Sequence, residues 1–246
     1  MNKINLVMPM GGSGSRFSEF GFSLPKPLIE INGHPFFYWA TISISKFVEL
    51  ENLIFVVLQE HIDNHKIDEV ILSYFSEAKI VVLKEVLNGA VLTCLKGVEI
   101  IDNNYPIVFN DCDHMFTCSS FYEFCEKSIN KTVDGGMLTF QSEDPKFSYA
   151  ATNELGYVTK TYEKKAISNQ AICGAYYFKN KETFVDASNQ YLNNCQYSEF
   201  FVSGVFNELI EKGKKIVLFQ VDMHTPFGTP EEYSLAKGSS EFLRLK

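Results

Sequence analysis

The sequence predicts an α/β protein: a three-layer sandwich in which a mostly parallel, mixed central sheet lies between helices, all in one domain spanning 1–246. Three observations carry this expectation. Apolar runs at 4–8, 53–58, 78–83 and 106–110 each have the length of a buried strand. Longer segments at 36–48, 60–75 and 90–101 separate them with helical or all-round apolar patterning. Such alternation packs strands side by side in parallel with helices on both faces. The third observation is supply: at 246 residues and 46% hydrophobic, the chain has material for a sizeable core and is not disordered.

Composition also excludes partners. The net charge of −8 argues against a nucleic-acid backbone as the main ligand. No apolar run approaches a membrane span, and Met1-Asn2-Lys3 leads straight into a strand without a signal-peptide pattern. The six cysteines, at 94, 112, 118, 125, 173 and 195, show neither a Cys-x-x-Cys pair nor zinc spacing. They read as small buried hydrophobes in a reducing cytoplasm, where this protein is expected to reside.

The first strand stops at Pro9, and Gly11, Gly12 and Gly14 follow, residues that let the backbone turn sharply and approach a ligand. Ser13 and Ser15 add hydroxyls, and Arg16 adds a planar, permanently charged fork. Lys26 sits between Pro25 and Pro27, so its backbone is stiffened. Amide groups of a glycine turn, one Arg and one Lys make a cradle for a polyphosphate. It is not a P-loop, which needs Gly-Lys-Ser/Thr, and it is not the dinucleotide fingerprint, whose third glycine would fall at Phe17.

Residues 31–35 read as a turn into the buried helix 36–48, with His34 structural. Helix 60–75 follows strand 53–58. It carries His61 and His65 four apart, a metal-ligand spacing, but with no third ligand nearby a solvated helix face is expected. After strand 78–83, the turn 85–90 lies where open α/β sheets bind ligands. A helix cap at Asn88-Gly89 is the alternative. Strand 106–110 delivers Asn110-Asp111-Cys112-Asp113-His114. Two carboxylates two apart suit a hard divalent cation, or cap a strand-end turn. Strand 134–140, a hairpin with its turn at 153–156, strand 171–178, helices 181–192 and 202–212 and strand 215–221 complete the pattern. By chemistry alone, Glu163-Lys164-Lys165 is a solvated charged loop. Pro230 opens the last helix at its first turn.

Taken together, the loop 11–16 ending in Arg, Pro25-Lys26-Pro27-Leu28, the Asp after the fourth strand, the 147–178 block and Gly-Thr-Pro-Glu-Glu-Tyr at 228–233 resemble the sugar-phosphate nucleotidyltransferases. That family joins a nucleoside triphosphate to a phosphorylated sugar or similar small phosphate. The resemblance spans 4–233 and implies a Rossmann-like fold of the GT-A type. Its nucleotide-binding half would be 1–115 and its acceptor-binding half 116–246, with an inserted hairpin region. It implies a catalytic group of Arg16, Lys26 and Asp113. Met10, Gly11, Gly12, Ser13, Gly14, Ser15, Arg16, Lys26 and Asp111 would meet the nucleotide, with Glu85, Asn88 and Gly89 at the base. Tyr149, Lys164, Gly174 and Glu199 would meet the acceptor. Asp113 would hold Mg2+, while Cys112 and His114 are bystanders.

Many relatives carry a second metal-binding Asp where this chain has Pro226, so the expected substitute is Asp222, His224, or water completing the magnesium shell. The resemblance further implies a monomer or homodimer that uses neither nucleic acid nor membrane. CTP is favoured, then UTP or dTTP, with a sugar phosphate or an amino-acid phosphate such as glutamine phosphate as acceptor, in capsule or surface polysaccharide synthesis. Two other readings remain open on the residues. One is a nucleotide-binding module without chemistry, suggested by Pro226. The other is a GT-A glycosyltransferase, whose Asp-x-Asp motif fits 111–113 but which lacks the glycine loop and the Pro-Lys-Pro element.

Overall fold

The computed structural model describes residues 3–127 and 132–245, so Met1 and Asn2 of the expected leaderless start lie outside it. The elements run β1 (Ile4–Pro9), α1 (Ser15–Glu19), β2 (Glu30–Ile31), β3 (His34–Pro35), α2 (Phe36–Ser45), β4 (Leu50–Leu58), α3 (Gln59–His65), α4 (Ile67–Tyr74), β5 (Lys79–Leu83), α5 (Ala90–Val98) and β6 (Ile107–Asn110). They continue with β7 (His114–Thr117), α6 (Ser119–Glu126), β8 (Gly135–Gln141), β9 (Tyr149–Thr152), β10 (Val158–Tyr162), β11 (Gln170–Phe178), α7 (Lys181–Asn194), α8 (Val202–Glu211), β12 (Ile216–Gln220), β13 (Met223–Pro226) and α9 (Pro230–Ala236).

Among the described residues the central sheet has nine strands, seven along the path β10-β9-β11-β6-β1-β4-β5, with β8 branching from β11 and β12 pairing with β8. On one side of β6 the pairs β6–β1, β1–β4 and β4–β5 are all parallel. On the other, β11 runs antiparallel to β6, β8 and β9. Side chains alternate across the pleat. Ile4, Leu6 and Met8 therefore pack with α2, α4 and α6, while Val7 packs with α5, α7 and α8 on the opposite face. This is the expected three-layer sandwich with a mostly parallel sheet. Among the described residues no helix is long and apolar enough to cross a membrane.

A third cluster, including Phe17, Trp39, Met115, Phe227 and Phe242, lies under the glycine loop and ties it to the last helix. The capping box Thr229–Glu232 starts that helix with Pro230 in its first turn, as the sequence indicates.

Three local expectations fail. The helix expected over 60–75 breaks at Lys66, whose left-handed backbone (φ 54°) ends α3 and starts α4. The break leaves both Ile67 and Ile71 buried. His61 is not on a solvated face: it is 8% exposed, and burial lowers its pKa. Helix α6 and the two-stranded ladder β7–β13 have no counterpart in the sequence pattern, because the ladder joins short stretches about a hundred residues apart.

One irregularity in β11 lies beside the carboxyl ends of the parallel strands. Its register against β8 jumps from Ile172↔Thr139 to Tyr176↔Met137, so Cys173, Gly174 and Ala175 form a bulge while Ala175 still pairs with Asn110 of β6.

Candidate active site

The site forms where the carboxyl ends of the parallel strands meet the bulged strand β11. At the end of β1, Gly14 takes a left-handed turn (φ 63°) that starts α1, burying Phe17 and leaving Arg16 exposed. A Cβ on Gly14 would lie 3.2 Å from Lys26 Cβ, so the glycine permits close approach of the second arm. Lys26 opens a 3₁₀ turn (Lys26–Leu28) and its Nζ donates to Asp113 Oδ2 at 2.8 Å. This contact joins two motifs 87 residues apart.

The charges here are strongly perturbed. Burial alone would lower the Lys26 ammonium, but the Asp113 carboxylate overrides it and holds the lysine protonated above its usual range. Burial would likewise raise Asp113, and Lys26 overrides that to hold it below the usual carboxylate range. Asp111 has no such partner. Burial and the neighbouring Asp113 charge push it up to about 7. Both carboxylates are crowded by glycine. A Cβ on Gly174 (φ 91°) would sit 2.5 Å from Asp111 Oδ2, and one on Gly228 would sit 2.5 Å from Asp113 Oδ2. The backbone completes the frame, with Asp111 N–H donating to Gly174 O and Phe227 N–H to Asp113 O, both at 2.9 Å.

Two clefts open from this centre. One, of about 390 Å³, lies between the glycine loop at Gly11, Gly12 and Ser13 and the turn 86–90, with Thr93 and Glu199 on its wall. The other, of about 380 Å³, is lined by Arg16, Asp111, Asp113, Lys146, Ser148 and Gly174, with His114, Cys173 and His224 also facing it.

The structure brings most expected residues to these clefts and removes some. Asn88 and Gly89 line the first cleft, but Gly89 also packs on protein: its Cβ position would be 2.3 Å from Phe200 N, at φ 96°. Glu85 is exposed outside that lining, as is Ser15. Met10 is core, 2% exposed, with its N–H given to Val56 O. Tyr149 is fully buried and its hydroxyl donates to Asp144 O at 2.7 Å, which withdraws it from an acceptor surface. Strand alternation turns its neighbour Ser148 to the cleft instead.

Glu199, expected at the acceptor, stands on the wall of the glycine-loop cleft. Asp222 is exposed and accepts from Ser119 N–H and Oγ–H at 2.7 and 2.8 Å, so it anchors the start of α6 and is not a metal ligand of this cleft. His224 does face the cleft, beside Pro226. Lys164 adopts a left-handed backbone (φ 53°), with its N–H on Phe147 O and its Nζ 5.4 Å from the Phe201 ring centroid.

The Glu163-Lys164-Lys165 triplet is not uniformly solvated. Glu163 is 7% exposed and accepts from the Ser148 and Ser203 hydroxyls, while both lysines are exposed. Sequence reasoning also missed Lys146, which faces the cleft while paired with Glu232 at 3.0 Å. His114 is no bystander, since it lines the cleft. Burial lowers the pKa of His114 to about 4 and that of His224 to about 3, so both imidazoles are neutral near pH 7.

The donor set fits a hard divalent cation at the two carboxylates. Oxygen ligands suit such an ion, and Asp111, raised by its like-charged neighbour, gains from a dication there.

The family model described as nucleotidyl transferase matches residues 5–236. No curated protein matches the chain. Among solved structures, the chain is similar to a nucleoside-diphosphate-sugar pyrophosphorylase from Vibrio cholerae RC9, with TM-score 0.82, 24% identity, and 94% of this chain and 98% of that one covered. It is also similar to an inositol-1-phosphate CTP transferase from T. maritima, with TM-score 0.76, 17% identity, and 100% and 94% covered. At these identities the likeness is one of fold. The match over nearly the whole chain is one of family: the protein belongs to the nucleotidyl transferases, and it is an enzyme of that type.

Proposed function

We propose that this nucleotidyl transferase moves a nucleoside monophosphate from a nucleoside triphosphate onto a phosphorylated small acceptor. An oxygen of the acceptor phosphate attacks the α-phosphorus, the new O–P bond forms, the bond between the α-phosphorus and the bridging oxygen breaks, and pyrophosphate carries away the electron pair. Positioning and charge do most of the work in such a transfer.

The observation that supports the reading is the 2.8 Å contact of Lys26 with Asp113, which joins the two motifs beside the cleft that Asp113 lines. The triphosphate would lie on the glycine loop with its base toward Asn88 and Gly89. Arg16 and Lys26 would stabilise negative charge on the α-phosphate and the departing pyrophosphate. The acceptor would occupy the second cleft, its phosphate drawn by Lys146 and Lys164. Ser148, held by Glu163, would be a neutral donor to the acceptor's polar groups. Asp113, with Asp111 beside it, would hold Mg2+, which when bound supplies charge neutralisation at the reacting phosphates.

CTP is the nucleotide we place first, then UTP or dTTP. The acceptor would be a sugar phosphate or an amino-acid phosphate such as glutamine phosphate. A role in building capsule or other surface polysaccharide, in the cytoplasm, is the biological setting we propose from the sequence resemblance.

The test is pyrophosphate release with Mg2+, each of the five common triphosphates being paired with sugar, polyol and amino-acid phosphates. One productive pair, lost in Lys26→Ala and Asp113→Ala, is the expected result. Triphosphate binding without release for any pair would favour the binding-module reading.

A further inference from the structure

We propose that His114, Cys173 and His224 form a binding site for a transition-metal ion of the Zn2+ class, distinct in chemistry from the oxygen-donor site at Asp111 and Asp113. One ligand atom from each of the three lies within 4.8 Å of the others. The residues come from three strands, β7, the bulge of β11 and β13. In the β7–β13 ladder His224 faces Phe116 and His114 faces Pro226, so the two imidazoles are diagonal neighbours on one face. Their ring centroids are 5.5 Å apart at 77°.

The hydrogen bonds around His114 prepare it as a ligand. Asn110 Nδ2 donates to Ala40 O at 2.9 Å, which fixes the amide so that its Oδ1 faces His114. His114 Nε2, 3.0 Å from that oxygen, therefore carries the ring proton and donates it. The lone pair is left on Nδ1, which is buried and makes no hydrogen bond of normal distance and angle, although the ring also lies near the Asp111 backbone. His224 Nε2 is likewise buried and without a partner. Buried polar nitrogens are almost always satisfied, and each exception calls for an explanation. A metal ion is one partner that answers both at once. An acceptor that orients an imidazole through its second nitrogen is also the usual companion of a metal-bound histidine, and here the Asn110 amide oxygen takes that place.

The donor set selects the ion. Two imidazoles and a thiolate suit Zn2+, Co2+ and similar ions, and do not suit Mg2+. On binding, the Cys173 S–H bond breaks, the proton passes to solvent and the sulfur bonds the metal; the imidazoles donate lone pairs without losing a proton. Donors of a tetrahedral ion of this class stand about 3.3–3.7 Å apart, so shifts on the order of 1 Å close the site. Three protein ligands facing a cleft leave the fourth position to water or to a donor atom of the cleft's occupant, the arrangement of an open rather than a closed zinc site.

The probe is Co2+ alone, titrated into the full chain under reducing, oxygen-free conditions. Expected are one equivalent bound, tetrahedral ligand-field bands and a thiolate-to-cobalt charge-transfer band, all bleached by one equivalent of Zn2+ and untouched by excess Mg2+. Cys173→Ser should remove the charge-transfer band, and Asn110→Ala should weaken Co2+ binding about 10–100-fold. Asp113→Asn should keep the full spectrum. Absence of the band in the folded wild type, its survival in Cys173→Ser, or its loss in Asp113→Asn would each overturn the assignment. Because the wild-type spectrum needs neither a variant nor turnover, this result and the pyrophosphate assay fail or succeed separately.

Discussion

The two sides of the sheet supply the two clefts by different routes. On the parallel side, the functional groups sit on loops that directly follow strands: Gly11 to Arg16 after β1, Asn88 and Gly89 after β5, Asp111 and Asp113 after β6. On the antiparallel side, they arrive by long-range pairing. Cys173 and Gly174 are pushed out by a bulge, Ser148 is selected by the pleat, and His224 depends on a ladder between β7 and β13. A parallel crossover places all its ligand-facing loops at one end of the sheet whatever their detail. An antiparallel meander fixes nothing until its register is known.

The largest effect is expected at the ion pair on the parallel side. Lys26→Ala and Asp113→Asn should each lower kcat/KM for pyrophosphate release by on the order of 10²-fold or more, with the fold retained by circular dichroism. A loss under tenfold in both would separate the ion pair from the chemistry. Gly89→Ala should come next. It adds a methyl against the Phe200 backbone at a left-handed φ, and a cost of about 3 kcal/mol in urea unfolding is expected.

Asp111→Asn tests the charge crowding. The folded-state pKa of Asp111 is raised to about 7 from the ordinary 3.8. Its contribution to stability is therefore complete below about pH 4, declines as pH rises toward 7, and is gone above that. In chelator-treated protein the asparagine variant should lose this part of the decline, and at pH 8 be more stable than wild type by on the order of 2 kcal/mol. A parallel slope for both proteins would remove Asp111 as the cause. The smallest effect is expected at Gly12→Ala, where an added Cβ meets nothing within 4 Å. Stability should stay within about 0.5 kcal/mol, so any loss of triphosphate affinity there would report on the ligand and not on the fold.

The legibility of the sequence follows the same division. The strands, the glycine loop, Lys26 between its prolines and the Asp pair were readable because each is a contiguous signal whose neighbours in sequence are its neighbours in space. Tyr149 was misassigned because alternation says that one of Ser148 and Tyr149 faces the cleft, and only the pairing with β10 and β11 says which. Asp222 and His224 were indistinguishable for a similar reason. The first is taken by Ser119, which lies 103 residues away in sequence at the start of α6. Cys173 reads as one more small apolar residue until the bulge turns it toward two histidines. Glu163 looked solvated because the two hydroxyls that hold it, Ser148 and Ser203, lie 15 and 40 residues away.

The Lys26–Asp113 contact has a thermodynamic meaning beyond holding two motifs together. In the resting protein each group serves as the other's counter-ion. A triphosphate that claims Lys26 by itself strands Asp113 next to Asp111, two carboxylates with no cation between them. A dication that claims Asp113 by itself strands a half-buried ammonium. On the proposed roles, both half-loaded states would be penalised and the doubly loaded state would not, so each ligand would raise the affinity for the other by the same factor. Loading of this cleft would then be an exchange of ions in pairs, its sharpness set by that single contact.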